Sequence, residues 1–252
     1  MDNIESDEAL RIFIINHLAE KMGAHAILKG GMVLRLLESP RYTNDLDYIF
    51  VPFKSKKDIV DLIKSALEEI NCSVNFNLHS TSARFMVKFE NKRGVFKTQI
   101  EANVDVACEA EAISTGDLAL HYNQLPRIVR VMKLNVALAH KLAAWNERNL
   151  IRDLYDAFFF FKNLQILPDI KTLNARLSHI NYARSVKTSG FPKSITLKSF
   201  CSKLREKLAT LTFEDVEKEL RDTLSPDQLP GLEKKMKVVL LELVEKMEAA
   251  QP

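Results

Sequence analysis

Two aspartates, Asp45 and Asp47, stand one residue apart in the run DLDYIFV. The run alternates: Leu46, Tyr48 and Phe50 fall on one face of an extended strand, and Asp45, Asp47 and Ile49 on the other. Both carboxylates then point the same way, about 6–7 Å apart along the backbone. Aspartate is disfavoured in strands and like charges on one face repel, so the pair costs stability unless a cation or donors compensate. A divalent ion would compensate it; Mg2+ prefers one or two carboxylates and completes its shell with phosphate oxygens and water. A strand with one solvated face is the simpler alternative. Upstream, Gly30-Gly31 separates AILK from MVLRLL in the order strand, tight turn, helix, where backbone N–H groups can face an anion. The turn is neither a GxxxxGK[ST] loop nor a GxGxxG fingerprint.

A third acid is expected from an adjacent strand. In VFKTQIEANVDVA the apolar face is Phe96, Thr98, Ile100, Ala102, Val104 and Val106, and the polar face carries Lys97, Gln99, Glu101, Asn103 and Asp105. Glu101 lies mid-strand, where an acid is least expected on propensity, and Asp105 near the strand end is its rival. A cationic row lies further on. At 100° per residue from Lys141, the residues Trp145, Arg148, Arg152, Tyr155 and Asp156 fall within about 60° of one line. If this stretch is one helix, Lys141 and the arginines could reach a phosphate chain while Asp156 orients them. The competing reading is a ladder of helical ion pairs. Trp145 reads as a packing residue.

The elements that must position these groups follow from periodicity and punctuation. Ser6 caps a helix running to about Met22, and Ser55 caps another with Ile59, Leu62, Ile63, Ala66, Leu67 and Ile70 on its apolar stripe. Strands are expected near 73–78, 83–90 and 95–107, with NKRG at 91–94 as a hairpin connection. From 134 onward the sequence is helical: one long stretch or two abutting ones over 134–163, then helices near 168–180, 194–210, 212–224 and 226–249. Residues 181–192 read as the least structured part. The pattern predicts an α/β or α+β domain with a mixed or antiparallel sheet, residues 1–125, and a helical bundle, residues 126–252, whose segment 134–163 completes the cleft.

Composition narrows the class. The 252 residues are 46% hydrophobic and 27% charged, as in an ordinary globular chain. No apolar run is long enough to cross a bilayer, and the acidic start MDNIESDEAL lacks signal-peptide order, so no membrane association is expected. Cys72, Cys108 and Cys201 form no CxxC pair, which suits a reducing cytoplasm. The six histidines are dispersed without HxxxH or HExxH spacing, and no GxSxG elbow is present. Net charge is only +3, yet residues 162–210 carry ten bases against Asp169 and Glu206, an asymmetry expected of a surface facing a polyanion such as RNA. A solvated helical face explains the same run.

The segments LKGGMVLRLL, RYTNDLD and KLAAWNERNLIRDLYDAFFF, in that order, resemble the AbiEii-type nucleotidyltransferases, toxins of abortive-infection and other toxin–antitoxin systems within the DNA polymerase β-like superfamily. The resemblance covers roughly residues 24–165. Arg41, Thr43, Asp45, Asp47, Lys141, Arg148, Arg152, Asp153 and Asp156 fall on the family's motif positions. Two positions depart from the pattern: Met32 stands where a small hydroxyl residue is common, and Glu101 matches the third acid only approximately.

The resemblance implies transfer of a nucleoside monophosphate from an NTP to a tRNA 3′ end or a protein hydroxyl. Asp45, Asp47 and Glu101 would hold Mg2+ or Mn2+, with catalysis shared between these acids and Lys141. Gly30, Gly31, Arg41, Thr43, Lys141, Arg148, Arg152 and Asp156 would bind the nucleotide. A cognate antitoxin is the expected partner. Two rivals are a nucleotide-binding toxin or regulator acting without turnover, and an enzyme that nucleotidylates a small molecule such as an antibiotic.

Overall fold

A computed structural model describes residues 4–182 and 191–250. The chain divides into two compact units, Met1–Lys133 and Leu134–Pro252.

The first unit is built on a seven-stranded mixed sheet. Helix α1 (Asp7–Met22) starts where Ser6 Oγ accepts from Ala9 N at 3.1 Å, with Asp7 and Glu8 in its first turn. Strand β1 (Ala26–Lys29), helix α2 (Gly31–Leu36) and strand β2 (Asp45–Phe50) follow, then helix α3 (Lys56–Glu68) behind a Ser55/Asp58 capping box. Strands β3 (Ser73–Leu78), β4 (Ala83–Asn91) and β5 (Gly94–Asn103) form a meander whose β4–β5 hairpin closes at Asn91 and Gly94, as NKRG predicts. Strand β6 (Ala110–Ser114), helix α4 (Gly116–His121) and strand β7 (Ile128–Met132) complete the unit.

The strand order is β3-β4-β5-β2-β1-β7-β6. The β2–β5 and β1–β7 pairs are parallel and the other four antiparallel. Leu46, Tyr48, Phe85, Val87, Ile100 and Ala102 are buried on one face of the sheet. Helices α1 and α3 pack on the sheet and touch where His17 Nε2 meets the Ala66 carbonyl at 2.7 Å.

The unit runs eight residues past the expected boundary at 125, because Ile27 and Leu28 pair with Arg130 and Val131 of β7 and keep that strand in the sheet. The strand expected over 95–107 stops at Asn103. Asp105 lies beyond it with φ +57°, so Glu101 alone of the two rival acids is in a strand. Leu62, expected on the buried stripe of α3, is exposed.

In the second unit all regular structure among the described residues is helical. Helices α5 (Leu134–Arg148) and α6 (Ile151–Leu164) replace the single helix on which the row from Lys141 to Asp156 was measured. The break falls at Asn149, in the left-handed region at φ +55°, where asparagine is tolerated. Helices α7 (Ile170–Leu177), α8 (Leu197–Thr210), α9 (Phe213–Leu220) and α10 (Leu232–Ala249) follow, with α10 packing on α6, α8 and α9. Of the stretch 181–192 expected to be irregular, residues 183–190, with Arg184 and Lys187, lie outside the described residues. No described helix is long and apolar enough to cross a membrane.

Candidate functional site

The polar face of the sheet gathers the predicted acids. Asp47 pairs in register with Glu101 of β5 on one side and Lys29 of β1 on the other, and Asp45 pairs with Gln99. Glu101 is in turn opposite Arg84 of β4, whose Nη2 lies 3.7 Å from Glu101 Oε2. One row across four strands therefore reads Lys29, Asp47, Glu101, Arg84, two acids flanked by two bases. The flanking bases were invisible in the sequence, because register between distant strands fixes them. Asp45 is exposed, and Asp47 and Glu101 are half-buried. Among the described residues, no group of three or more Asp, Glu, His or Cys side chains closes into a preformed metal cluster.

The Gly-Gly turn abuts this row. Gly30 caps α2 with φ +78° and ψ −157°, a conformation open essentially only to glycine. A Cβ at Gly30 would overlap Asp47 Oδ2 and stand 3.1 Å from its Cγ. A Cβ at Gly31 would stand 3.0 Å from both Arg41 Nη2 and Thr43 Oγ1. The fold thus brings Gly30, Gly31, Arg41, Thr43 and Asp47 together, and backbone rather than side chain faces the acids because Met32 is fully buried in the core. The entry to β2 is pinned by Thr98 Oγ1, which donates to the Asn44 carbonyl at 3.1 Å.

The donor chemistry suits a hard divalent cation. All three acids offer oxygen, and Mg2+ needs only one or two carboxylates when phosphate oxygens complete its shell, so a closed protein cage is not required. Arg11, not anticipated from the sequence, is buried on α1, and its Nε has no hydrogen-bond partner among the described residues. Burial pulls its guanidinium below the ordinary arginine value, opposed by the charges of Glu8, Asp7 and Asp45.

The second unit holds its own ionic network. Arg148 grips Asp153 with Nε and Nη2, each at 2.6 Å from a carboxylate oxygen. Lys141 Nζ lies 2.6 Å from Asp156 Oδ2 and 3.9 Å from Asp153 Oδ1, and both aspartates are fully buried. Lys141, expected to reach a phosphate chain with the arginines, is thus itself ion-paired. Arg152 is exposed, and its backbone N–H meets Glu219 Oε2 at 3.4 Å. Trp145 is buried against Phe200, a packing role.

The basic run 162–210 is largely engaged within the unit. Arg176 binds Glu147 at 2.7 Å, Arg205 binds Glu248 at 2.6 Å, and Lys207 binds Asp215 at 3.0 Å. Lys203 Nζ donates to Asn146 Oδ1 at 2.7 Å, and burial lowers its pKa. Lys171, Lys193 and Lys198 form no ion pair among the described residues.

Comparison with known proteins decides the family. The family described as Nucleotidyl transferase AbiEii toxin, Type IV TA system, matches residues 15–238. The chain belongs to the AbiEii nucleotidyltransferase toxin family. It is accordingly an enzyme of the nucleotidyltransferase class. The AbiEii match spans nearly all of both units, well beyond the resemblance over 24–165. Among solved structures, the Helicobacter pylori protein JHP933 has 17% identity and a TM-score of 0.58, covering 98% of this chain and 94% of that one. A candidate nucleotidyltransferase from H. pylori has 19% identity and the same TM-score of 0.58, covering 98% and 96%. At these identities the likeness speaks to the fold. A search of curated protein sequences gives no match.

Proposed function

We propose that this AbiEii-family chain transfers a nucleoside monophosphate from an NTP to an acceptor hydroxyl and releases pyrophosphate, using Mg2+ or Mn2+ held by Asp45, Asp47 and Glu101. The observation that carries the reading is the register of Asp47 with Glu101 beside a glycine turn that leaves room for the Asp47 carboxylate and no more. The cation, when bound, would offset triphosphate charge and make the acceptor hydroxyl more acidic. Asp45 and Asp47 supply anionic oxygens from a rigid strand, so their separation is set by the backbone. Glu101 either completes the cation's ligands or accepts the hydroxyl proton. The N–H groups of Gly30 and Gly31 cradle phosphate oxygens, with Arg41 and Thr43 adding side-chain donors next to Gly31.

Lys141 receives the role of offsetting charge on departing pyrophosphate, and Arg148, Arg152 and Asp156 the role of supporting nucleotide binding, from the motif resemblance of their block. The unpaired lysines of 162–210 would contact an RNA acceptor. A cognate antitoxin and a cytoplasmic setting complete the proposal, in line with the family's toxin–antitoxin description and three free cysteines. The test is an NTP labelled at the α- or γ-phosphate, incubated separately with total RNA, total protein and aminoglycosides. Label from the α-position alone should reach an acceptor as pyrophosphate appears, and an alkali-labile, RNase-sensitive product identifies RNA. Transfer from the γ-position would refute nucleotidyl transfer.

A further inference from the structure

We propose that Arg35 is a positioning residue that clamps the loop between α2 and β2 on both sides of Arg41, and so holds Arg41 and Thr43 against Gly31. The proposal rests on the nucleotide site described above and adds a residue to it. Arg35 lies in the last turn of α2, and its guanidinium is committed in four directions. Nε and Nη2 donate to Glu8 Oε1 and Oε2 at 2.6 and 3.1 Å, Nη1 donates to the Ser39 carbonyl at 2.9 Å, and Cζ stands 4.8 Å from the centre of the Tyr42 ring. Ser39 and Tyr42 bracket Arg41 in sequence. The same loop turns at Glu38, with φ +68°, and Ser39 N returns to the Leu34 carbonyl at 2.9 Å, so Ser39 is fixed on both sides of its peptide.

The anchor behind the clamp is buried. Glu8 is only 4% exposed, and its second oxygen also accepts from the Tyr122 hydroxyl at 2.5 Å. A buried carboxylate with a bidentate arginine and a phenol donor is well satisfied, which makes it a rigid support. Burial raises its carboxyl, but the hydrogen bonds of Arg35 and Tyr122 and the charges of Arg35 and Arg11 outweigh that and hold it below the ordinary glutamate range. Only a planar fork can serve Glu8, the Ser39 carbonyl and an aromatic face together; a lysine ammonium keeps the charge and loses that geometry.

The experiment uses the full chain with Arg35→Lys, and Tyr42→Ala as a second variant that removes one jaw at an exposed position without touching the buried pair. Losing one charge-assisted bond corresponds to about ten- to hundredfold in the affected equilibrium. Amides of residues 41–44 should therefore exchange about tenfold faster in Arg35→Lys and, since an exposed cation–π contact is weaker, about two- to fivefold faster in Tyr42→Ala; KM for the NTP should rise by the same factors and kcat should fall less. A merely structural Arg35 would lower the melting temperature and leave KM of the folded enzyme unchanged. The proposal is overturned if 41–44 exchange at the wild-type rate, or if exchange quickens with KM unmoved. Should the wild-type chain fail to bind any NTP, the nucleotide reading falls while exchange at 41–44 still judges the clamp.

Discussion

Replacing Gly30 by alanine should damage this protein in two separable ways. The backbone at φ +78° and ψ −157° is essentially closed to alanine, a strain of about 1–3 kcal/mol. The new methyl would also overlap Asp47 Oδ2, an overpacking cost of about 1–3 kcal/mol. Clearing the overlap requires the carboxylate to move on the order of 1 Å, and a misplacement of that size costs roughly 10²-fold in rate. Only the second cost depends on Asp47. In Asp47→Ala the remaining Cβ would stand 3.2 Å from the new methyl, which a small shift accommodates. Urea unfolding of wild type, Gly30→Ala, Asp47→Ala and the double variant, followed by far-UV circular dichroism, gives the coupling. The double variant should be less destabilised than the sum of the singles by about 1–3 kcal/mol. Additivity within about 0.5 kcal/mol would mean that the turn and the carboxylate do not meet, and the reasoning fails.

Lys141→Ala should destabilise the chain by about 3–5 kcal/mol, because it removes the ammonium that lies 2.6 Å from the buried Asp156 carboxylate, whereas Lys141→Arg should recover most of this; calorimetry of both variants checks it. Glu8→Gln should cost roughly 2 kcal/mol at pH 7. Since the folded Glu8 carboxyl is held below its ordinary range, its stabilisation is present above the unfolded pKa and is lost as pH falls through the folded one. The difference between wild type and Glu8→Gln should therefore vanish toward acid in melting curves taken across pH. If residues 162–210 contact RNA, neutralising Lys171, Lys193 and Lys198 together should flatten the log–log salt dependence of RNA binding by about two to three units, measured by filter binding. An unchanged slope would return the segment to a solvated face.

The elements around the acids were legible where local chemistry and pattern agree. Ser6 and Ser55 announce helix starts, NKRG announces a hairpin, and alternation in DLDYIFV puts Asp45 and Asp47 on one face. Glu101 was reachable as a mid-strand acid, but its register with Asp47 was not. Strands β6 and β7 were not expected. AEAIS favours helix by propensity, and it is a strand because β7 pairs with it, the tertiary context overriding a weak local preference. Of the two alternatives for 134–163, one helix or two abutting ones, the structure has two; the sequence left them open because ERNLIRD contains neither glycine nor proline, and Asn149 makes the turn alone. Nothing local marks Arg35, in the last turn of α2, or Glu8, an acid in the first turn of α1. Their pairing depends on α1 meeting α2, a contact that no local period encodes.

The central claim is that Asp45 and Asp47 serve chemistry rather than folding. The measurement that tests it most directly is the single-turnover rate of nucleotidyl transfer in Asp45→Asn, beside its melting temperature. Asp45 is exposed and shares its face with Asp47, so the amide should leave the melting temperature equal or higher by relieving carboxylate repulsion. Transfer should fall by at least about 10²-fold, with little recovery at saturating Mg2+ or Mn2+. Transfer at the wild-type rate in a normally folded Asp45→Asn enzyme would contradict the account.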